Sequence, residues 1–217
     1  MSKKTGNGIF IAFEGIEGCG KSTQAHLLNT TLNKNGIKSI ISFEPGGTEI
    51  GKKLREVLIN PEFKGKLHPV TETLLYQADR NQHLKEKIIP HLEKGYVVIC
   101  DRYQFSSLAY QGYGRGVNTN IINWIFKNAV QGLMPDITFL IDIDVETSLE
   151  RVKKRANAQN VELSRFEIEE YEFHQRVREG FLNLAKENNF VIIDGRSTIK
   201  EVHQMVLKEF KKRFRIV

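Results

Sequence analysis

Two cysteines in 217 residues are too few for a disulfide framework. Reduced thiols in a cytoplasmic setting are expected instead. No group of Cys and His has the spacing of a zinc site. No apolar run approaches the roughly 20 residues that a membrane span needs, so no membrane partner is expected. The first eight residues, Met1-Ser2-Lys3-Lys4-Thr5-Gly6-Asn7-Gly8, lack an apolar core. That excludes a secretory signal, and they read as a flexible lead-in. Internal repeats, low-complexity stretches and interdomain linkers are missing as well. One α/β domain over residues 1–217 is the expectation, with room for a sizeable core.

The net charge of +6 points to anionic partners. Its densest basic stretch is Lys208-Glu209-Phe210-Lys211-Lys212-Arg213-Phe214-Arg215. There the apolar residues Val206, Leu207, Phe210 and Phe214 recur at helical spacing. The stretch therefore reads as an amphipathic last helix with a solvated basic face, and no nucleic-acid partner is expected.

Apolar β-type runs at 9–13, 37–43, 96–100, 137–143 and 190–193 alternate with helical patterns. The helices are expected from Lys21 to about Asn35-Gly36, over 48–58, 69–92, 119–130, 145–155, 167–188 and 198–214. Alternation of this kind predicts βαβ units: a five-stranded parallel sheet with helices on both faces. The runs are continuous rather than alternating, as strands buried on both faces require. Ligands of such sheets bind beyond the C-terminal ends of the strands.

Beyond the first run stands Gly15-Ile16-Glu17-Gly18-Cys19-Gly20-Lys21-Ser22, two glycines four residues apart followed by Lys-Ser. With a strand before it and a helix after it, this is a P-loop. Glycines let backbone N–H groups turn inward as an anion nest, and the helix N-terminus adds positive potential. The phosphate-binding segment is Gly15, Ile16, Glu17, Gly18, Cys19, Gly20, Lys21, Ser22 and Thr23. Lys21 would reach the β/γ-phosphates of ATP and Ser22 would ligate Mg²⁺. Asp101, ending the third run, would orient the metal's hydration shell, and Arg102 would clamp a phosphate. Tyr76 and Arg80, four apart on a helix, share a face and would suit a nucleobase. Arg151, Lys153, Arg155 and Arg165 bracket a polar segment at about 153–166. A mobile lid bringing cations to a transferring phosphoryl group would look like this.

Taken together, the P-loop with its flanks, Glu44-Pro45-Gly46-Gly47-Thr48, Asp101-Arg102-Tyr103 with Ser106 and Ala109-Tyr110-Gln111-Gly112, and the 155–167 stretch resemble the thymidylate kinase family. The likeness runs from about Ile9 to Phe214. It implies a P-loop nucleoside monophosphate kinase fold, transfer of the ATP γ-phosphoryl group to dTMP with Mg²⁺, and a homodimer. By that resemblance Glu17 contacts the acceptor's 3′-hydroxyl, and Tyr76 and Arg80 meet thymine. Phe43 adjoins the acceptor, Arg102 binds its phosphate, and Ser106, Tyr110 and Gln111 line the nucleoside pocket. Lys21, Arg102 and Arg155 are the catalytic cations. Gly18 stands where some members carry an arginine, which assigns the chain to the branch with a lid arginine. Ser42-Phe43 and Ser164 depart from the commoner Thr-Arg and Asp of bacterial members. A kinase of another nucleoside monophosphate or nucleoside, or a P-loop ATPase, remains an alternative at this point.

Overall fold

The structure, a computed structural model, describes residues 7–214. Five strands, β1 (Ile9–Glu14), β2 (Ser39–Phe43), β3 (Val97–Asp101), β4 (Ile137–Asp142) and β5 (Val191–Asp194), form one parallel sheet in the order β2-β3-β1-β4-β5. Each expected apolar run becomes one of these strands, shifted by a residue or two at the ends. Its helices are α1 (Lys21–Lys34), α2 (Glu49–Ile59), α3 (Pro69–His83), α4 (Ile89–Glu93), α5 (Gln104–Ser107), α6 (Thr119–Ile125), α7 (Val145–Gln159), α8 (Tyr171–Asn188) and α9 (Ile199–Phe214). A π-helical turn, Leu84–Ile88, joins α3 to α4; others, Leu108–Gly114 and Phe126–Val130, extend α5 and α6.

Successive side chains of a strand point to opposite faces, and β1 shows where they go. Ile11 and Phe13 enter a core built with α1, α8 and α9, through Leu28, Phe181 and Phe210 among others. Phe10 and Ala12 enter a second core with Leu84, Ile88, Leu92, Phe126 and Val130. Both faces of the sheet are thus covered.

Register then fixes the site. Phe13, Asp101 and Phe43 are neighbours across β1, β3 and β2. The next residues, Glu14, Arg102 and Glu44, therefore stand side by side at the C-terminal edge of the sheet. The ladder continues there: Arg102 N donates to Phe13 O at 2.9 Å and Glu44 N to Asp101 O at 3.0 Å.

Three expectations need correction. Gly8 is no part of a flexible lead-in: it is buried and donates to Leu92 O at 3.2 Å, while residues 1–6 lie outside those described. The expected helices leave out the 104–114 stretch, which is a buried helix (α5 and its π continuation). Helix α7 runs on to Gln159, so the first half of the supposed lid is helical. Its buried residues Val145, Ser148, Val152 and Ala156 form one stripe, which holds the helix down past Arg155.

Candidate active site

A cleft of about 960 Å³ opens over the C-terminal edge of the sheet. Its walls include Glu17, Gly18, Gly20, Lys21, Ser22 and Thr23 of the loop after β1. Phe43 and Glu44 come from the end of β2, Tyr76 and Arg80 from α3, and Asp101 and Arg102 from β3. The 104–114 helix adds Ser106, Tyr110 and Gln111, and the opposite rim carries Arg151, Arg155 and residues 161–164. The fourteen sequence-predicted residues just named as far as Gln111, together with Arg155, share this one cavity. Gly15, Ile16 and Cys19 do not line it; Ile16 and Cys19 point into the core.

The loop takes its shape from glycine. Gly18 has φ +67° and Gly20 has φ +99°, a region that other residues rarely adopt. A Cβ at Gly18 would also lie 2.8 Å from Ser148 O. A side chain, and so a loop arginine, does not fit there. Lys21 is buried and its Nζ donates to Ile16 O at 2.7 Å. The amino group thus lies against the loop's own backbone.

Ser22 Oγ donates to Asp101 Oδ2, while Asp101 Oδ1 is buried with no partner among the described residues. A hydroxyl and a carboxylate with a spare buried oxygen fit a hard, oxygen-seeking cation such as Mg²⁺.

Arg102 is the centre of the cleft's second half. Its φ of +69° is unusual for a bulky residue. The other three positive-φ non-glycines, Gln131, Asn160 and Asn189, end helices. Arg102 ends none, and its strained backbone is held by what the side chain meets. Nη1 donates to Gly15 O at 3.0 Å and Ser106 Oγ at 3.2 Å; Nη2 donates to Glu17 Oε1 at 3.0 Å and Tyr110 Oη at 3.1 Å. The guanidinium also lies 4.9 Å from the Tyr110 ring centre. Tyr110 in turn donates to Glu17 Oε1 at 2.7 Å. Burial pushes the Glu17 carboxyl up, but the charges of Arg102 and Lys21 and the Tyr110 hydrogen bond outweigh it. The group titrates below the usual range.

Beneath this layer lies a second one that the sequence did not announce. Glu14, fully buried, accepts from Tyr103 N, Ser106 N and Ser106 Oγ at 3.0, 3.2 and 2.5 Å. Burial raises its pKa to about 7, against the Ser106 hydrogen bond and the Arg102 charge. The one available signal was an acid at the end of a buried strand, the same signal that marked Asp101. Arg80 is also fully buried. It donates to Glu44 Oε2 at 2.8 Å, Gln104 Oε1 at 3.0 Å, Ser107 Oγ at 2.9 Å and Tyr103 O at 3.0 Å. Four of its five donors are committed to the protein, so it braces the pocket floor as well as lining it. Gln111 Nε2 is held by Glu72 Oε1 at 2.8 Å.

The rim differs. Arg155 is half-exposed and pairs only with Glu167. Arg151 donates to Gly195 O at 3.0 Å. Arg165 is not a lid cation at all: it is buried, 2.6 Å from Glu72 and bonded to Leu58 O at 3.0 and 2.8 Å. Between the end of α7 and the buried Arg165, the stretch without regular structure is thus narrower than 153–166 and covers 160–164.

With this geometry in view, the likenesses to known proteins are coherent. A thymidylate kinase family model matches residues 13–206. The chain is 51% identical to a thymidylate kinase of Carboxydothermus hydrogenoformans, over 90% of this chain and 93% of that one. It is 47% identical to one of Caldanaerobacter subterraneus subsp. tengcongensis, over 93% and 94%. The crystal structure of thymidylate kinase from Ehrlichia chaffeensis superposes with a TM-score of 0.73 at 33% identity, covering 94% of this chain and 99% of that one. A phosphate loop and an arginine-centred hydrogen-bond network share one cleft, and the match along nearly the whole chain places this protein in the thymidylate kinase family.

Proposed function

We propose that the cleft phosphorylates dTMP to dTDP with ATP, by direct in-line transfer between two bound nucleotides, in the supply of dTTP. The observation that carries this is the continuity of one cavity from Lys21 to Arg102. A donor phosphate over the loop and an acceptor phosphate at Arg102 are thereby brought face to face. The acceptor is already an anion, so it needs no general base. Positioning and charge neutralisation do the work. Lys21 neutralises the donor's β/γ-phosphates, Arg102 holds the acceptor phosphate, and Arg155 turns from the rim onto the transferring group. Glu17 takes the sugar 3′-hydroxyl. Phe43, Tyr76 and Arg80 take the base, and Ser106, Tyr110 and Gln111 line the nucleoside pocket. Ser22 and Asp101 would hold Mg²⁺, which when bound would offset the charge of the donor phosphates.

A homodimer is part of the proposal. Helices α2, α3 and α6 expose Ile50, Val57, Val70, Leu74, Ile121 and Trp124, and α3 packs beside both α2 and the π turn after α6. An apolar layer of this kind suits a second copy. A cytoplasmic setting is proposed on the two free, buried thiols, Cys19 and Cys100.

The test is ADP release by the purified chain with MgATP and, in turn, dTMP, dUMP, AMP and thymidine. Strong preference for dTMP is expected. Preference for any other acceptor overturns the reading.

A further inference from the structure

His174 lies in the first turn of α8 and is fully buried. Neither ring nitrogen has a hydrogen-bond partner among the described residues. Its Nδ1 is 3.9 Å from Glu17 Oε2, and that oxygen is likewise buried and unpartnered. The other Glu17 oxygen is crowded, taking both Arg102 Nη2 and Tyr110 Oη. Glu17 lines the cleft; His174 does not. An imidazole and a carboxylate oxygen, each lacking a partner, thus face one another on the side away from the nucleotides. An unpaired buried donor or acceptor is costly, and here each is the other's nearest remedy.

We propose that His174 is a positioning residue for Glu17, donating Nδ1–H to Oε2 when the acceptor is bound. The need arises from Arg102, whose Nη2 rests on Glu17. An acceptor phosphate draws that guanidinium onto itself, and Glu17 then loses its charged donor. Without a replacement the carboxylate would be held by Tyr110 alone and free to turn from the sugar. A contraction of about 1 Å brings Nδ1 to hydrogen-bond distance, and Glu17 sits beside Gly18 on a loop that permits it. His174 itself is well fixed. Phe173 and Phe181 of the same helix pack against Tyr110, with ring centres 6.3 and 5.9 Å away. The helix that carries the imidazole is thereby tied to the helix that carries the other Glu17 ligand.

This inference rests on the reading of Glu17 as the acceptor's sugar ligand. Steady-state kinetics of the full chain with MgATP and dTMP tests it. His174→Phe keeps a ring but has no donor. It should raise KM for dTMP about tenfold, as loss of a hydrogen bond to a charged group does, and leave KM for ATP unchanged. His174→Gln, which restores an N–H, should recover most of that loss. In a Glu17→Gln background, His174→Phe should add nothing further, because it acts through the carboxylate. Equal rises in both KM values, or a fall in Tm with no KM split, would make His174 a packing residue and overturn the proposal. If Glu17→Gln impairs dTMP use while His174→Phe does not, the proposal fails and the reading of Glu17 stands. If Glu17→Gln leaves KM for dTMP unchanged, both fail. Should the Phe variant not fold, the same split is required of His174→Met, whose flexible side chain adapts to the space.

Discussion

The two walls of the cleft are built on opposite principles. On the acceptor wall the charges are paired and mostly buried. Arg80 sits on Glu44 and Arg165 on Glu72, both pairs fully buried, and the partly exposed Arg102 sits on Glu17, each within 3.0 Å. On the donor rim Arg155 is half-exposed, and its partner among the described residues is Glu167, itself largely shielded. Buried pairs preorganise a pocket, because desolvated charges cannot rearrange cheaply. Exposed pairs are worth little and exchange readily. On the proposed reading, recognition of the acceptor is therefore set in the folded core, whereas the rim arginine is held by a single pair that solvent reaches. A kinase needs both: a fixed place for the acceptor, and a closing element that excludes water only when both nucleotides are present.

The contrast can be broken most severely at Arg80. Arg80→Ala takes the guanidinium from the buried Glu44, leaving it His83 alone, and strips partners from Gln104 and Ser107. A loss of roughly 3–5 kcal/mol is expected, seen as a fall in Tm on the order of 10 °C for a chain of this size. A Tm shift no larger than that of Arg155→Ala would erase the distinction between wall and rim. Catalysis gives the complementary result. Lys21→Ala and Arg155→Ala should each lower kcat by roughly 10²–10³-fold, with Tm nearly unchanged for Arg155→Ala. Near-normal kcat in either variant would remove that residue from the transition state.

What the sequence made legible follows the same divide. Strands were readable because the central ones, β1, β3 and β4, are nearly continuous apolar runs, as burial on two faces demands. Cleft residues were readable where a motif carries its own mechanism, as at Lys21-Ser22. The 104–114 helix was not: its serines and glycines are poor helix formers, and burial on all sides leaves no amphipathic period to detect. Tertiary packing makes that helix. Arg165 read as a lid cation because its carboxylate partner lies 93 residues earlier. Glu14 was silent for the same reason, its Ser106 partner being 92 residues away. Periodicity reports local structure, and these pairs are not local. The lid was drawn too wide because the end of α7, solvated around most of its circumference, has the polar composition of a loop.

Glu14 offers a gentler probe of the buried wall. Its pKa of about 7 in the folded chain compares with an ordinary 4.5. Between those values the folded protein keeps a proton that the unfolded chain has released. Stability therefore falls as pH rises through this window, by at most roughly 3 kcal/mol from this group. Asp79, raised to about 6 by burial and by Glu44, contributes with the same sign. Glu14→Gln cannot ionise, yet its amide can accept from Tyr103 N and Ser106 N and donate to Ser106 Oγ. Its Tm should change less between pH 5 and pH 8 than that of the parent chain. Parallel Tm–pH curves would show that Glu14 does not titrate in this range.

The smallest effect belongs to the rim. Glu167 holds Arg155 through one carboxylate oxygen and accepts from Ser164 N at 2.8 Å through the other. Glu167→Gln discharges the ion pair but keeps an acceptor for the Ser164 amide, so the turn into Arg165 stays closed. A pair that solvent reaches on the Arg155 side contributes about 0–1 kcal/mol, and Tm should move by no more than about 4 °C. Arg155, relieved of a competing anion, should then meet the donor phosphates more readily. KM for ATP is expected to fall by up to about fivefold, the equivalent of that same pair energy, with KM for dTMP unchanged. Removing an acid from beneath Arg80 or Arg165 could not produce this pattern, because there the carboxylate is the guanidinium's solvent. A large loss of stability in Glu167→Gln would mean that the rim is as preorganised as the floor, and that closure is not where this kinase keeps its freedom.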